Sequence, residues 1–340
     1  MTTPNRMRAM QAHAFGIDAL RLGETETPKA RRGEILIHVR AASLNYRDLV
    51  ILKGAYLPNL PMPYVPASDA AGEVVEVGED VTRFRVGDRV MPLYTQGWHD
   101  GMPTPEQRTK RTLGAPLTGV LQEYVAVPAE DAVAVPEHLT DVEAATLPIA
   151  AVTAWSALTE GGIKPGASVL VQGTGGVALF ALQFAKLQGA SVVILSSSDE
   201  KLARARSLGA DIGINYRTTP KWEDLVRDAT RGRGADIIVE TAGGTLAQSL
   251  AALAFGGVIS VVGFVAGMEA TLPLRAVIGP MVRIQGIAVG SRARFEAMNR
   301  AIEQHRLRPV VDQTFALEQA AEAFRHMERG AHFGKIAMTI

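Results

Sequence analysis

The chain of 340 residues contains no cysteine. Disulfides, thiolate nucleophiles and every cysteine-ligated zinc site are thereby excluded. Net charge is equally missing. Lys plus Arg and Asp plus Glu each number 35, so no long-range field draws the chain to nucleic acid or to an anionic membrane. Long apolar runs are lacking too: none approaches the roughly 18 residues of a membrane span, and the opening MTTPNRMRAM has no apolar signal core. The expectation is a cytoplasmic protein with neither nucleic-acid nor membrane partners. Internal repeats and low-complexity segments are absent as well.

What is present suits two hydrophobic cores. A chain of 340 residues exceeds the usual single-core size, and 47% hydrophobic residues are enough to fill two. The most informative stretch is SVLVQGTGGVALFALQFAKLQGA, residues 168–190. Val169, Leu170 and Val171 form a short apolar run of the kind that a parallel strand buried on both faces shows. Gly173, Gly175 and Ala178 fit G-x-G-x-x-G/A within the turn Gly173-Thr174-Gly175-Gly176-Val177. Val177, Phe180, Phe184 and Leu187 then recur at helical spacing. Gly173 permits a tight turn, Gly175 lets the backbone approach a pyrophosphate, and Ala178 allows close helix–strand packing. Free N–H groups at the helix N-terminus complete a phosphate site.

In chain order, residues 1 to about 148 read as short strands between Gly- and Pro-containing turns: Glu34–Arg40, Gly72–Val77, Gly87–Met91 and Gln122–Val127. They predict a β-rich domain with one short helix over Arg47–Leu52. Residues 95–118 are polar, rich in Gly and Pro and aperiodic, so they read as a long loop: a solvated excursion, or else a lid or partner contact. Helices are predicted over Asp141–Thr146 and Ala150–Glu160. Beyond the glycine turn, strands Ser191–Leu195, Ile212–Asn215, Ala235–Glu240 and Val258–Val262 alternate with helices, one of them opened by a Ser197/Glu200 capping box. This is the pattern of a doubly wound parallel sheet. Arg283–Val289, helices near Phe295–His305 and Leu317–Arg329, and a last strand Lys335–Ile340 close the chain.

Over essentially its whole length the chain resembles the medium-chain dehydrogenase/reductase superfamily. The matching segments are SLNYRD at 43–48, DAAGEVVEVGEDV from Asp69, RVGDRV at 85–90, LQEYVAVP at 121–128, TAWSAL at 153–158, the glycine turn, SLGAD at 207–211, INY at 214–216 and FGKI at 333–336. The resemblance implies an α/β chain of two domains: a GroES-like β-rich catalytic domain over residues 1–148 and 292–340, and a Rossmann doubly wound parallel-sheet domain over 149–291. Substrate is expected in the cleft between them, and a homodimer formed through the edge strand near Arg283–Val289. Zinc alcohol dehydrogenases carry a Cys ligand in the segment that here reads SLNYRD, and Gly-His-Glu where this chain has Ala67-Ser68-Asp69. The nearest likeness is therefore to the zinc-free branch, the quinone oxidoreductases related to zeta-crystallin, and no metal is expected.

The end of the second strand bears on the nicotinamide used. Enzymes preferring NAD place a carboxylate about 20 residues beyond the first glycine. Here Ser196 stands there, followed by Ser197. A carboxylate would repel a 2′-phosphate by roughly 4 kcal/mol per charge pair at about 4 Å with an effective dielectric of about 20. Its absence, with Lys201 on the next helix and Tyr216 at a position that contacts the 2′-phosphate in the family, favours NADPH, with NADH possible. The plainer reading makes the serines a helix cap and Lys201 part of a solvated face.

By the same resemblance, Asn45, Asp48 and Tyr56 line the substrate cleft, Thr153 lies under the nicotinamide, and Gly263, Phe264, Val265, Phe333, Gly334 and Lys335 lie near its ring. Tyr56 is the first candidate to donate a hydrogen bond to substrate oxygen and Asn45 the second. Against that, Asn45 and Asp48 also fit a cap for the short helix, and Tyr56 a turn aromatic. Hydride delivery to an activated alkene or quinone needs only such donors. Alcohol oxidation lacks an evident proton acceptor. Expected partners are a small carbonyl, enone or quinone. A zinc-free alcohol dehydrogenase-like carbonyl/alcohol oxidoreductase and a non-catalytic, crystallin-like NADPH-binding protein are the alternatives.

Overall fold

A computed structural model describes residues 3–340. Two compact units result. One runs to Ala150 and resumes from Gly290 to Ile340, and the other is Ala151–Val289.

The first unit is built on the strand Glu34–Leu44, whose Ile35, Leu36 and Ile37 are wholly buried. It pairs antiparallel with Asp69–Val77, with Tyr124–Pro128 and with the C-terminal strand Lys335–Thr339. Arg89–Pro92 and Ala132–Ala134 extend the sheet on one side, and Val311–Ala316 flanks the C-terminal strand on the other. Phe315, Phe324 and Met338 join Ile35, Ile37 and Leu44 in one core, so the C-terminal segment is integral to it. The hairpin Arg6–Ala12 with Leu20–Glu26 and the strand Val311–Ala316 are not evident in the sequence. LRLGETE and VDQTFA carry too few apolar residues to announce strands, and their pairing is decided by neighbours.

Residues 95–118 depart from the loop expectation. Thr104 caps a short helix, Pro105–Lys110, its hydroxyl accepting from the Gln107 N–H at 3.2 Å while Gln107 Oε1 accepts from the Thr104 N–H at 2.8 Å. Such a capping box is worth about 1 kcal/mol. Trp98, Leu113 and Ala115 are buried, so the segment is packed onto its unit and is not a solvated excursion.

The second unit is a six-stranded, all-parallel sheet in the order Ile212–Asn215, Ser191–Ser196, Ser168–Gln172, Ala235–Glu240, Leu253–Val261, Arg283–Gly286. Numbered along the chain this is 3-2-1-4-5-6, the doubly wound arrangement. The helix Gly176–Leu187 buries more than the predicted stripe. Phe180 and Phe184 are inside with Ala178, Leu179, Ala181, Leu182 and Ala185, whereas Val177 and Leu187 sit at its margins. Trp155, on the helix Val152–Gly161, meets Phe184 edge-on at 5.4 Å. The predicted Ser197 cap is corrected by one residue: Ser198 caps Asp199–Ser207, its hydroxyl accepting from the Lys201 N–H at 3.3 Å.

Candidate active site

In the second unit the glycine turn follows the strand Ser168–Gln172 directly. Gly173 has φ 79°, a left-handed conformation that a side chain would strain, and its N–H donates to Leu195 O at 2.8 Å. Gly175 precedes the helix Gly176–Leu187 with an ordinary φ of −82°, and a Cβ built there meets nothing within 4 Å. The space above Gly175 is open. Thr174 is buried, while Gly176 and Val177 are half-buried in the first turn of the helix. Unpaired N–H groups at such an N-terminus favour phosphate, so this turn fits the pyrophosphate of a dinucleotide.

Ser196 ends its strand with 3% exposure, and its hydroxyl accepts from the Ser198 N–H at 3.4 Å. Tyr216 donates its N–H to Ser196 O at 3.1 Å, and its side chain is exposed. Ser196 and Tyr216 are thus neighbours across the ends of adjacent strands. Ser197 is half-buried beside them, and Lys201 lies in the first turn of the following helix. Thr153 is buried near the start of Val152–Gly161. Gly263 lies so close to the loop at 241–245 that a Cβ would come within 2.8 Å of Thr241 O. Phe264 and Val265 are exposed, and the Val265 N–H donates to Thr241 O at 3.3 Å.

In the first unit three of the predicted residues, Asn45, Asp48 and Lys335, lie in a buried polar cluster with Ser68 and Asp69. Asn45 precedes the helix Tyr46–Leu52, and Asp48 Oδ2 accepts the Asn45 N–H at 2.8 Å, the acidic half of a capping box. Asn45's own side chain turns away from the helix. Its Nδ2 donates to Asp69 Oδ2 at 2.8 Å, and its Oδ1 accepts from Lys335 Nζ at 2.7 Å. Lys335 Nζ also donates to Leu44 O at 2.7 Å and lies 3.6 Å from Asp69 Oδ2. Ser68 Oγ donates to Asp48 Oδ1 at 2.8 Å. Burial pushes the Asp69 carboxyl up to about 7, against the pull of Lys335 and the Asn45 amide. Burial likewise raises Asp48, opposed by Arg47, and lowers the Lys335 ammonium, opposed by Asp69.

Lys335 therefore faces inward, while Phe333 is buried with its N–H donating to Asp312 Oδ1 at 3.0 Å. Gly334 has φ 94°, and a Cβ there would come within 2.4 Å of Val310 O. Tyr56 differs from the cluster: it is 49% exposed, with the Arg47 guanidinium 5.7 Å from its ring centre. Arg47, which the sequence marks only as the start of the short helix, has a larger part here. It donates to Ser68 Oγ and Thr112 Oγ1 and to the carbonyls of Leu113 and Ala115, stapling 112–115 beside the cluster. Nothing in a single arginine within SLNYRD announces four partners from distant segments. Ala67, with φ 67°, occupies the left-handed region at a cost of roughly 1–2 kcal/mol.

Zinc needs three or four nitrogen, sulfur or carboxylate donors converging on one point. Asn45, Ser68 and Asp69 offer an amide, a hydroxyl and one carboxylate, with an ammonium already among them. Among the described residues no group of three His, Cys, Asp or Glu could hold a metal ion. This donor set does not fit zinc.

A doubly wound sheet with a glycine turn, in one chain with a β-rich unit enclosing a polar cluster, fits the class of dinucleotide-binding enzymes. Residues 31–137 match the alcohol dehydrogenase GroES-like domain and residues 176–304 the zinc-binding dehydrogenase family. A zinc-type alcohol dehydrogenase-like protein of Schizosaccharomyces pombe is 45% identical over 334 residues, 96% of each chain. The crystal structure of a Sinorhizobium meliloti protein assigned as an alcohol dehydrogenase superposes with TM-score 0.94 at 43% identity, covering 100% of both chains. A 2-octenoyl-CoA carboxylase reductase, solved with NADP and 2-octenoyl-CoA, gives TM-score 0.88 at 28% identity over 99% of this chain and 88% of its own. The chain belongs to the medium-chain dehydrogenase/reductase superfamily and is an enzyme of its NAD(P)H-dependent type.

Proposed function

We propose that this enzyme is an NADPH-dependent, zinc-independent reductase of α,β-unsaturated carbonyls or quinones. The observation that carries the reading is the Lys335 ammonium bonded to Asn45 Oδ1 and facing Asp69. The polar cluster brings its own cation, which repels a second one, and leaves hydrogen-bond donors to stabilise charge on substrate oxygen. In this reading the Ala151–Val289 unit takes the dinucleotide across Gly173–Val177, and the other unit supplies the substrate groups. The nicotinamide, when bound, supplies the hydride.

Tyr56 donates a hydrogen bond to the substrate oxygen. As hydride adds to the β-carbon, the alkene π pair shifts to join the α- and carbonyl carbons and the carbonyl π pair moves onto that oxygen; solvent or the Tyr56 hydroxyl then delivers a proton to the α-carbon of an enone, or to the oxygen of a quinone. Asn45 retains one amide hydrogen beyond the one given to Asp69 and is the second donor. Ser196 and Tyr216, adjacent at the ribose end and without a carboxylate at Ser196, support NADPH over NADH. The relative solved with NADP and an enoyl thioester is consistent in cofactor and in alkene.

A second reading is zinc-free carbonyl/alcohol oxidoreduction: the alcohol dehydrogenase descriptions of the Schizosaccharomyces and Sinorhizobium relatives support the reaction, while its zinc-free part rests on the donor set alone, since the former relative is described as zinc-type. The chain acts as a homodimer and in the cytoplasm. Supporting the dimer, Arg283–Gly286 ends its sheet, with Ile278, Met281 and Ile284 exposed nearby. Among the described residues no helix is long and apolar enough to cross a membrane. Consumption of NADPH and NADH with a panel of enones, alkenals and quinones, alongside alcohols with NADP and NAD, tests the reading. Turnover of alcohols alone would replace it with the second. NADPH binding without any turnover would leave a non-catalytic binding protein.

A further inference from the structure

The strand order places the C-terminal ends of Ser168–Gln172 and Ala235–Glu240 side by side, where the sheet changes its direction of growth. Ligands of doubly wound sheets bind outside that point. Two side chains lie directly beneath it. Glu240 ends one strand and is wholly buried, and Gln172 ends the other with 4% exposure.

Gln172 Nε2 donates to Glu240 Oε2 at 2.7 Å, and Ser249 Oγ donates to the same oxygen. Oε1 accepts from the Ala242 and Gly243 N–H groups at 3.0 Å each and from Thr245 Oγ1 at 3.2 Å. Gln172 adds its own hold on this loop: Oε1 accepts from the Ala242 N–H at 3.3 Å and the backbone O from Thr241 Oγ1 at 3.0 Å. From there the bonding runs onward. The Ala266 N–H donates to Ala242 O at 2.8 Å, and a Cβ on Gly173 would lie 3.9 Å from Thr241 Oγ1. The buried carboxylate thus holds the loop 241–245 directly, and through Gln172 and the Ala242 carbonyl it is coupled to the strand end that leads into the glycine turn and to the loop 263–267.

We propose that Glu240 is a positioning residue for the dinucleotide: it never touches the cofactor, but it holds these three segments in the geometry that binds it. The inference rests on the reading of Gly173–Val177 as the dinucleotide site. A carboxylate is required because each of its oxygens is filled by donors. A glutamine in its place would turn an NH2 towards the Gln172 amide: Gln172 Nε2 would keep only Ser249 Oγ, to which it donates at 2.8 Å, and the Ser249 hydroxyl would lose its acceptor in a buried site.

The same chemistry offers its own rescue. In Gln172→Glu/Glu240→Gln, residue 240 keeps an oxygen for the loop N–H groups and gives its NH2 to the new carboxylate at 172. Ser249 then accepts from residue 240 and donates to residue 172. Titration of the full chain with NADPH and NADH by nicotinamide fluorescence, next to thermal midpoints, tests this. Glu240→Gln is expected to weaken binding about tenfold or more, with cofactor KM rising further than kcat falls, and the double exchange to restore affinity to within about threefold. Should Glu240→Gln fail to fold, Ser249→Ala, which removes one of the bonds, is expected to weaken binding about threefold. Wild-type affinity in the folded variant, Glu240→Gln or failing that Ser249→Ala, overturns the proposal, as does a double exchange that regains the thermal midpoint without the affinity. If the unaltered chain bound neither nucleotide, the dinucleotide-site reading itself would fall instead.

Discussion

Lys335 Nζ donates to Asn45 Oδ1 at 2.7 Å across 290 residues of sequence, tying the C-terminal strand to the start of the first helix. The bond also places an ammonium 3.6 Å from the buried carboxyl of Asp69. Removing one member of a buried ionic set leaves the other uncompensated.

Lys335→Met should therefore destabilise the first unit by about 3–5 kcal/mol, read from denaturant unfolding. A loss below about 1 kcal/mol would show that the ammonium contributes nothing net.

Asp69 gives a pH dependence. Its carboxyl binds a proton more tightly in the folded chain, near 7, than in the unfolded one, so stability from this group is complete below the unfolded value of about 4 and falls as pH rises to about 7. The slope is at most about 1.4 kcal/mol per pH unit. Asp69→Asn, which imitates the protonated form, should flatten that decline between about pH 4 and pH 7. An unchanged pH profile in the variant counts against a raised Asp69.

At the glycine turn, stability and binding separate. A Cβ at Gly175 meets no atom beyond its chain neighbours within 4 Å, so Gly175→Val should shift the unfolding free energy by less than about 1 kcal/mol. It should nevertheless weaken nicotinamide dinucleotide binding by about a hundredfold, because the branched side chain fills the space reserved for pyrophosphate. Unimpaired binding by calorimetry would make this a plain turn.

Tyr56 is half-exposed, so Tyr56→Phe should leave stability within about 0.5 kcal/mol of the parent. As oxygen donor, its loss should lower kcat by about a hundredfold with the cofactor KM unmoved. Full activity would pass the role to Asn45.

Ser196→Asp brings a carboxylate to the ribose end of the site. The ratio of kcat/KM for NADPH over NADH should fall by about tenfold or more. A constant ratio would remove the specificity argument.

The Rossmann unit was legible because its signals are local. A strand buried on both faces, glycines where backbone must bend, and a helix at 3.6-residue spacing can each be read without knowing what packs against them. Ser198 rather than Ser197 as cap, and the short helix at Pro105–Lys110, were missed because adjacent serines or a single Thr-x-x-Gln leave the starting residue undetermined until the chain's direction is set. The strand Val311–Ala316 has no apolar alternation of its own and exists because Lys335–Thr339 offers it an edge.

The candidate residues divide the same way. Gly173, Gly175 and Ser196 stand out as candidates by motif and spacing and Asn45 by family resemblance, and the missing cysteines and zinc-site histidine are plain from the sequence alone. What tertiary structure alone decided is which polar groups share a buried volume. Lys335 with Asn45 and Asp69, Arg47 with the segment 112–115, and Gln172 with Glu240 lie between 65 and 290 positions apart. Hydrogen bonds act over about 3 Å, and no sequence pattern encodes a distance so short between segments so remote. Local periodicity and the glycine spacing set the doubly wound unit and its turn, and the folding of distant strands set the electrostatics of the polar cluster.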